Sequence, residues 1–274
     1  MNYKTILVHA EPAEAARPRL ATAAALAREL DATLVGVGTE MFDWVGVSDP
    51  YGVTAGQWIT VMQDQMRADL KTAKTAFETE CASARREWVE LMDPPAPALA
   101  RLSRGADLIV TGGAPVAPHP SMRTADPADL ALTSGRPVLV APPYGGVLHG
   151  RTVVLAWKDS REARRAMTDA LPFLQRAEEV VVVEVCAKEA EADAEARVQD
   201  VVRHLGRHGV KGRGCTRVAP ADRVAVELNI LAESVGSDLI VSGAYGHNRL
   251  AEWILGGVTY DLLARPERFV LLSH

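Results

Sequence analysis

The sequence predicts an α/β protein made of two tandem, doubly wound parallel sheets of five strands each, paired inside one chain as a pseudo-dimer. Two observations predict this class. Short runs rich in Val, Ile and Leu alternate with longer stretches of helical period, which is typical of βαβ units around a buried parallel sheet. The same order of segments also occurs twice within the 274 residues, which indicates a duplicated domain.

The repeat can be read directly from the residues. Segment 4–8, KTILV, matches segment 151–155, RTVVL, and both are followed by a polar turn and a helical stretch. Segment 107–112, DLIVTG, matches segment 238–243, DLIVSG, almost residue for residue. Two copies of one unit are the simplest explanation of this pattern.

We therefore expect one domain at 1–146 and a second at 147–274, each with five strands and four helices. In the first domain the strands are predicted near 4–9, 33–37, 88–92, 107–111 and 137–141. In the second they are predicted near 151–156, 179–185, 214–218, 238–242 and 268–272. The edge strands 137–141 and 268–272 are expected to make the contact between the domains.

The helices follow from apolar residues at steps of three and four. In the first domain such a face runs through Ile59, Met62, Met66, Leu70, Ala73, Phe77, Cys81 and Ala84. In the second domain helices are predicted near 161–176, 192–208, 222–235 and 257–264. The third of these has an inward stripe of Val224, Leu228, Leu231 and Val235, with Asp222 as its expected N-cap.

Composition limits the classes of partner. The chain has 48% hydrophobic and 24% charged residues, and its 30 basic and 35 acidic side chains leave a net charge of -5. This balance gives no field that would gather nucleic acid or an anionic membrane, so neither is expected as a partner. Cys81, Cys186 and Cys215 have no CxxC spacing and suit a reducing compartment. With no apolar stretch long enough to span a bilayer, we expect a cytoplasmic protein.

The most informative stretch follows the fourth strand of the second domain. It reads SGAYGHNRL at 242–250 and continues with GGVT at 256–259, so Gly243, Gly246 and Gly256 have the spacing G-x2-G-x9-G. Glycines allow a close backbone approach to a phosphate, and a helix N-terminus offers free backbone N–H groups to an anion. The spacing therefore predicts two anion-binding backbone segments on one crevice.

This glycine pattern, together with the repeat over the whole chain, resembles the universal stress protein family in its tandem, two-domain form. The resemblance implies a Rossmann-like fold of the adenine-nucleotide α-hydrolase type, ATP or AMP as ligand, with Mg²⁺ if ATP is bound, and no catalytic or metal-binding residues. It implies a nucleotide site formed by Ala156, Trp157, Lys158, Gly243, Gly246, His247, Arg249, Gly256, Gly257, Val258 and Thr259. Further association into a homodimer is left open.

Two positions depart from the family pattern. Gly257 stands where Ser or Thr is usual, and Lys158 stands where the first strand of the nucleotide-binding branch ends in Asp. A lysine donates hydrogen bonds and can reach a phosphate, but it cannot accept them as a carboxylate does. Trp157 is placed either to stack on an adenine or to fill the pocket of a nucleotide-free protein, and the sequence leaves both open.

The first domain departs further. Its equivalent loop at 112–120, GGAPVAPHP, lacks the later glycines, and its prolines remove backbone donors. Glu11 occupies the position of Lys158. We therefore expect the nucleotide site in the second domain and no phosphate site in the first.

The signatures of P-loop, dinucleotide-binding, hydrolase and zinc-protease sites are missing from the sequence. Our leading hypothesis is a non-catalytic stress-response protein that binds or senses an adenine nucleotide. Two alternatives remain: a nucleotide-free interaction or scaffold protein of the same fold, and a slow nucleotide phosphohydrolase.

Overall fold

The computed structural model describes residues 2–41, 55–113, 123–244, 257–264 and 266–274, with the side chains of 55–58, 257 and 264 left out. Its strands are β1 Thr5–Ala10, β2 Thr33–Thr39, β3 Arg86–Leu91, β4 Leu108–Thr111, β5 Val138–Val140, β6 Thr152–Ala156, β7 Glu179–Cys186, β8 Gly212–Val218, β9 Leu239–Gly243 and β10 Phe269–Ser273. Its α-helices are α1 Arg17–Glu29, α2 Ala55–Glu80, α3 Pro95–Leu102, α4 Pro127–Thr133, α5 Arg161–Asp169, α6 Leu171–Leu174, α7 Glu191–Arg207, α8 Val224–Ser234 and α9 Gly257–Ala264.

All ten strands form one sheet, in the order β3-β2-β1-β4-β5-β10-β9-β6-β7-β8. Each half of the sheet has its first strand beside its fourth, and neighbouring strands within a half are parallel. The two halves meet where β5 pairs antiparallel with β10, with Leu139 opposite Leu271. These are the two strands that the sequence assigns to the contact between the domains. The predicted fold class is confirmed.

Helices cover both faces of the sheet. One continuous apolar cluster lies on the face under α1, α2, α5, α6 and α7 and runs through both halves. The opposite face has one cluster under α3 and α4 and another under α8. Because successive strand residues point to opposite faces, Ile6 and Val8 belong to the first cluster and Leu7 to the second. Burial on both faces explains the continuous apolar runs in the sequence.

The segment between the halves packs on α1. Gly145 turns the chain with a φ of 63°, and the Thr22 hydroxyl donates to the Gly146 carbonyl oxygen at 2.6 Å. Tyr3, at the start of the chain, donates to the Asp169 carbonyl oxygen at the end of α5. Its ring meets Phe173 edge-on, with 5.6 Å between the centroids. These contacts join the first half to the second away from the β5–β10 pair.

Three local predictions need correction. The helix expected at 161–176 is two helices, because Pro172 lacks the N–H that would continue α5. Asp222 does not cap α8: it lies in a 3-10 turn at Ala221–Arg223, and α8 begins at Val224 without a side-chain cap. The long helix of the first half ends at Glu80, although Cys81 just beyond it is still fully buried.

The cysteines are unpaired, with Cys81 and Cys186 buried and Cys215 partly buried. Among the helices within the described ranges, none is long and apolar enough to cross a membrane.

Candidate functional site

The main cavity of interest lies at the carboxyl ends of the strands in the second half. It has a volume of about 520 Å³, which is within the range of small-molecule sites. It is bounded by the ends of β6, β7 and β9 and by the beginnings of α5, α7, α8 and α9. Its lining includes Ala156, Trp157, Lys158, Ser160, Glu162, Val183, Glu184, Val185, Arg197, Val224, Leu228, Gly243, Val258 and Thr259.

Trp157 leads from β6 toward α5, and its backbone N–H donates to the Val183 carbonyl oxygen at 2.7 Å. This bond extends the β6–β7 ladder by one residue and fixes the indole at the pocket wall. The side chain is only 8% exposed, and its Nε1–H is buried without a hydrogen-bond partner. A buried unpaired donor costs free energy, so this N–H is a ready contact for an acceptor on a ligand.

The turn after Trp157 places a cation at the mouth of the pocket. Lys158 is exposed and lines the cavity. Its carbonyl oxygen accepts from the Ser160 N–H at 2.6 Å, and the Ser160 hydroxyl caps α5 by accepting from Ala163 N–H at 3.3 Å. The tight turn therefore keeps the β6 end and the first turn of α5 on the same cavity.

Gly243 has a packing role in addition to the nucleotide-binding role that the sequence predicts. A Cβ at this position would lie 2.7 Å from Ala163 N and 2.7 Å from the Glu162 carbonyl carbon. The missing side chain therefore lets the first turn of α5 pack against the end of β9. Gly243 also lines the cavity, so its packing role does not remove it from the site.

The first turn of α9 borders the cavity from the other side. Gly257 is the first residue of the helix, and Val258 and Thr259 line the cavity, with Thr259 only 5% exposed. Gly246, His247, Arg249 and Gly256 lie outside the described residues, so their predicted roles stay predictions. The structure thus brings together Ala156, Trp157, Lys158, Gly243, Val258 and Thr259 of the predicted set.

Three charged residues of the pocket were missed from the sequence. Glu184 is 6% exposed at the end of β7, and its carboxylate pairs with Arg197 of α7. Glu162 of α5 is 5% exposed, and its Oε2 is buried without a hydrogen-bond partner. Burial acts to raise the pKa of Glu162, but hydrogen bonds from its own N–H and from Ser160, together with nearby Arg161 and His274, outweigh this and lower the pKa. The signal for Glu184 was a charge inside a buried run of valines.

The equivalent end of the first half is occupied by the protein's own charges. Arg19 of α1 is buried and donates through Nη2 to the His9 carbonyl oxygen at 2.9 Å and to Glu11 Oε1 at 3.0 Å. The same Glu11 oxygen lies 3.1 Å from His9 Nδ1. A Cβ on Gly112, the counterpart of Gly243, would lie 2.5 Å from the Arg19 guanidinium. Arg19 therefore fills the space beside this glycine.

Titration in this cluster is shifted by burial and charge together. Burial acts to raise the pKa of Glu11, but Arg19 and His9 outweigh it and lower the pKa to about 2. Burial lowers the pKa of His9, so its ring is neutral near pH 7. Glu11, where the second half has Lys158, is thus an ionised carboxylate already paired inside the protein.

A second ion pair lies beside this cluster, at the end of β2. Glu40 is 1% exposed, with Arg123 Nε 3.4 Å from its carboxylate. Arg123 Nη2 also lies 2.7 Å from Asp69 Oδ2 of α2. Burial raises the pKa of Glu40. Within the described ranges, no group of three or more His, Cys, Asp or Glu side chains is arranged to hold a metal ion.

Comparison with solved structures places this architecture among known folds. The chain is similar to a universal stress protein from Archaeoglobus fulgidus DSM 4304, with a TM-score of 0.74 and 15% identity, over 98% of this chain and 95% of that one. A candidate universal stress protein from Pseudomonas aeruginosa UCBPP-PA14 gives a TM-score of 0.60 and 17% identity, over 99% and 93%. No protein-family model and no curated protein matches the chain.

At these identities the likeness establishes the fold. The chain has the fold of the universal stress proteins over its full length, so the resemblance inferred from the glycine spacing and the repeat is confirmed at that level.

Proposed function

We propose that this chain, which has the universal stress protein fold, binds one adenine nucleotide in the cavity of its second half and acts without catalysis as a stress-response nucleotide-binding or sensing protein. The observation that carries the proposal is the cavity of about 520 Å³ at the carboxyl ends of β6, β7 and β9. This is where doubly wound sheets bind nucleotides, at the point where the strand order reverses.

The lining suits a nucleotide in its polar as well as its apolar parts. Val183, Val185 and Leu228 supply an apolar surface for a base. The unpaired Trp157 Nε1–H and Glu162 Oε2 supply a buried donor and a buried acceptor. The edge of an adenine presents an amino donor beside ring-nitrogen acceptors, so both unpaired groups have complementary atoms on this base.

Phosphates are expected at the opposite end of the cavity. The first turn of α9, from Gly257, presents backbone N–H groups that have no partner within the helix, together with the positive end of the helix dipole. Lys158 at the mouth adds a cation that can reach a phosphate. ATP or AMP fits this arrangement, and Mg²⁺ would accompany ATP through its phosphates.

The absence of catalysis is part of the proposal. Glu184, a candidate base, accepts hydrogen bonds from two nitrogens of the Arg197 guanidinium, which occupy one lone pair on each of its oxygens. A slow phosphohydrolase would release phosphate from ATP at a rate that depends on the cavity residues. An assay of phosphate release from ATP by the wild type, with no signal above that of the buffer, is the expected result.

The nucleotide-free scaffold is the second candidate, and Lys158 favours it, because a lysine replaces the acceptor that the family's nucleotide-binding branch has there. Acid extraction of the freshly purified protein, followed by chromatography against adenine-nucleotide standards, separates the two. We expect close to one nucleotide per chain, or a rise in melting temperature when AMP or ATP is added to empty protein. The proposed function would be overturned if no nucleotide is extracted and neither AMP nor ATP raises the melting temperature.

A matched pair of variants tests the place of Lys158. Lys158→Ala is expected to weaken ATP binding about 5- to 20-fold, as for a lost charge-assisted contact, and to leave adenosine binding unchanged. Lys211→Ala, an exposed lysine at the start of β8, should change neither. Equal weakening of ATP and adenosine by Lys158→Ala would contradict a phosphate contact.

A further inference from the structure

Glu184 is an unusual residue for its place in the sheet. It follows four consecutive valines in β7, a strand covered on both faces, and it is only 6% exposed. Burying a carboxylate is costly unless it is paired and hydrogen-bonded. A residue kept here at such a cost needs a reason beyond the stability of the strand.

Arg197 supplies the pairing. Its Nε donates to Glu184 Oε2 at 3.1 Å, and its Nη2 donates to Oε1 of the same carboxylate. These bonds raise the pKa of Arg197. A forked contact of this kind fixes the plane of a carboxylate and uses one lone pair on each oxygen. The second lone pair on each oxygen is left to accept another hydrogen bond.

The fold itself does not require a carboxylate at this position. The counterpart of Glu184 in the first half is Gly38, which lies opposite Ala10 in the β1–β2 ladder. A Cβ on Gly38 would lie 2.6 Å from the Trp88 ring, so that position is filled by packing. At this position only the half with the open cavity has a carboxylate, whereas the buried carboxylate of the first half, Glu40, lies two residues further along, just after β2.

Its place in the cavity indicates what it binds. Glu184 and Arg197 line the same cavity as Trp157, and Glu184 lies two residues before the end of β7, the strand next to the first strand of its half. In dinucleotide-binding sheets an acidic residue near this strand end accepts hydrogen bonds from ribose hydroxyls. The two vicinal hydroxyls of a ribose match the two free lone pairs of a carboxylate whose plane is fixed.

We propose that Glu184, oriented by Arg197, accepts hydrogen bonds from the ribose hydroxyls of the bound nucleotide and makes the site select ribonucleotides over 2′-deoxyribonucleotides. The inference rests on the proposed function, because it names a specificity contact in the same cavity. Glu184 also supplies the hydrogen-bond acceptor that Lys158 cannot. A 2′-deoxy ligand leaves one buried acceptor of the carboxylate unpaired, which is the physical source of the selectivity.

The test compares AMP with 2′-deoxyAMP by isothermal titration calorimetry on the full-length protein. For the wild type we expect AMP to bind about 10-fold or more tightly than 2′-deoxyAMP. In Glu184→Gln the ratio should fall below about 3, mainly because AMP binding weakens. The matched control is Glu179→Gln, at the other end of β7, where the glutamate pairs with Arg213 on the surface. This control should keep the wild-type ratio.

The ratio separates specificity from stability. A carboxylate that only stabilises the strand would weaken AMP and 2′-deoxyAMP by the same factor in Glu184→Gln, and that outcome overturns the inference. Equal affinities for the two ligands in the wild type overturn it as well, with no substitution needed should Glu184→Gln fail to fold. If the wild type binds neither ligand, the proposed function fails and the inference falls with it.

Discussion

The two halves of the molecule end their sheets in opposite ways. In the first half Arg19 reaches back from α1 to the end of β1, where it pairs with Glu11 and fills the space beside Gly112. In the second half the same region is a cavity of about 520 Å³, and the space beside Gly243 is taken by the backbone of α5 instead.

The difference teaches how one fold supports two uses. A doubly wound sheet has a crevice at its switch point. The protein's own ion pairs can fill that crevice, or it can stay open for a ligand. In the first half the guanidinium of Arg19 occupies the crevice and pairs with Glu11, as a bound ligand would. Buried polar atoms without a hydrogen-bond partner occur in both halves, on Glu40 and Thr111 in the first and on Trp157 and Glu162 in the second, where both residues line the cavity.

The largest expected effect comes from breaking the internal pairing of the first half. Arg19→Met is expected to lower the free energy of unfolding by about 3 to 5 kcal/mol, because it leaves the Glu11 carboxylate buried without its partner. Urea unfolding followed by circular dichroism measures this. Arg17→Met, at a side chain that is 40% exposed, should cost under about 1 kcal/mol. Similar losses of unfolding free energy in the two variants would contradict the conclusion that Arg19 fills the crevice of the first half.

Acid titration sharpens the same comparison. The pKa of Glu11 is lowered from 4.5 to about 2 in the folded protein. Its stabilisation is therefore complete above pH 4.5 and is lost as the pH falls from 4.5 to about 2. Glu11→Gln should lower the free energy of unfolding at pH 7 by about 3 kcal/mol. This difference from the wild type should vanish as the pH falls to about 2.

The control for the titration is Glu14→Gln, at a side chain that is 83% exposed. We expect its unfolding free energy to follow the wild type at every pH. If the unfolding free energy of Glu11→Gln falls with pH below 4.5 in the same way as that of the wild type, Glu11 is not held by Arg19.

The two counterpart glycines provide a smaller, paired effect. Gly243→Ala forces its Cβ to within 2.7 Å of the α5 backbone, and overpacking of this kind costs about 1 to 3 kcal/mol. Gly112→Ala meets only the end of the Arg19 side chain and should cost less. AMP affinity, measured by calorimetry, should fall only in Gly243→Ala. A larger loss of stability in Gly112→Ala than in Gly243→Ala would contradict this account, in which Gly243 meets backbone and Gly112 meets only a side chain.

The smallest effect concerns the unpaired indole. Trp157→Phe keeps an aromatic ring of smaller size but removes the unpaired N–H, so AMP binding should weaken about 5- to 10-fold. Trp88→Phe is the matched control, since its Nε1 already donates to Glu90 Oε2 at 3.1 Å in the other half. An unchanged AMP affinity in Trp157→Phe would mean that the indole N–H does not contact the ligand.

Much of the architecture was predictable from the sequence. The repeat of segments 107–112 and 238–243 and the valine-rich strands carry the fold, because a parallel sheet buried on both faces needs such runs. The break between α5 and α6 was missed although Pro172 marks it. Asp222 was assigned to a cap since cap preference is a local rule, whereas here a 3-10 turn brings Val224 to the helix start.

The site was harder to predict because its residues come from separate elements. Trp157 and Lys158 follow β6 and Gly243 is the last residue of β9, so all three were found by position along the chain. Glu184 is 13 residues from Arg197, and only the packing of α7 against β7 brings them together. Arg19 is likewise placed by α1, so its filling of the first crevice is a result of tertiary structure.

The most direct test of the account is the stoichiometry of AMP binding by isothermal titration calorimetry, with one blocking substitution in each half. Ala187→Trp places a large ring at the cavity, and Met41→Trp places it at the counterpart position after β2. The account predicts one AMP per chain for the wild type and for Met41→Trp, and none for Ala187→Trp. Two AMP molecules per chain, or a site lost in Met41→Trp and kept in Ala187→Trp, would contradict it.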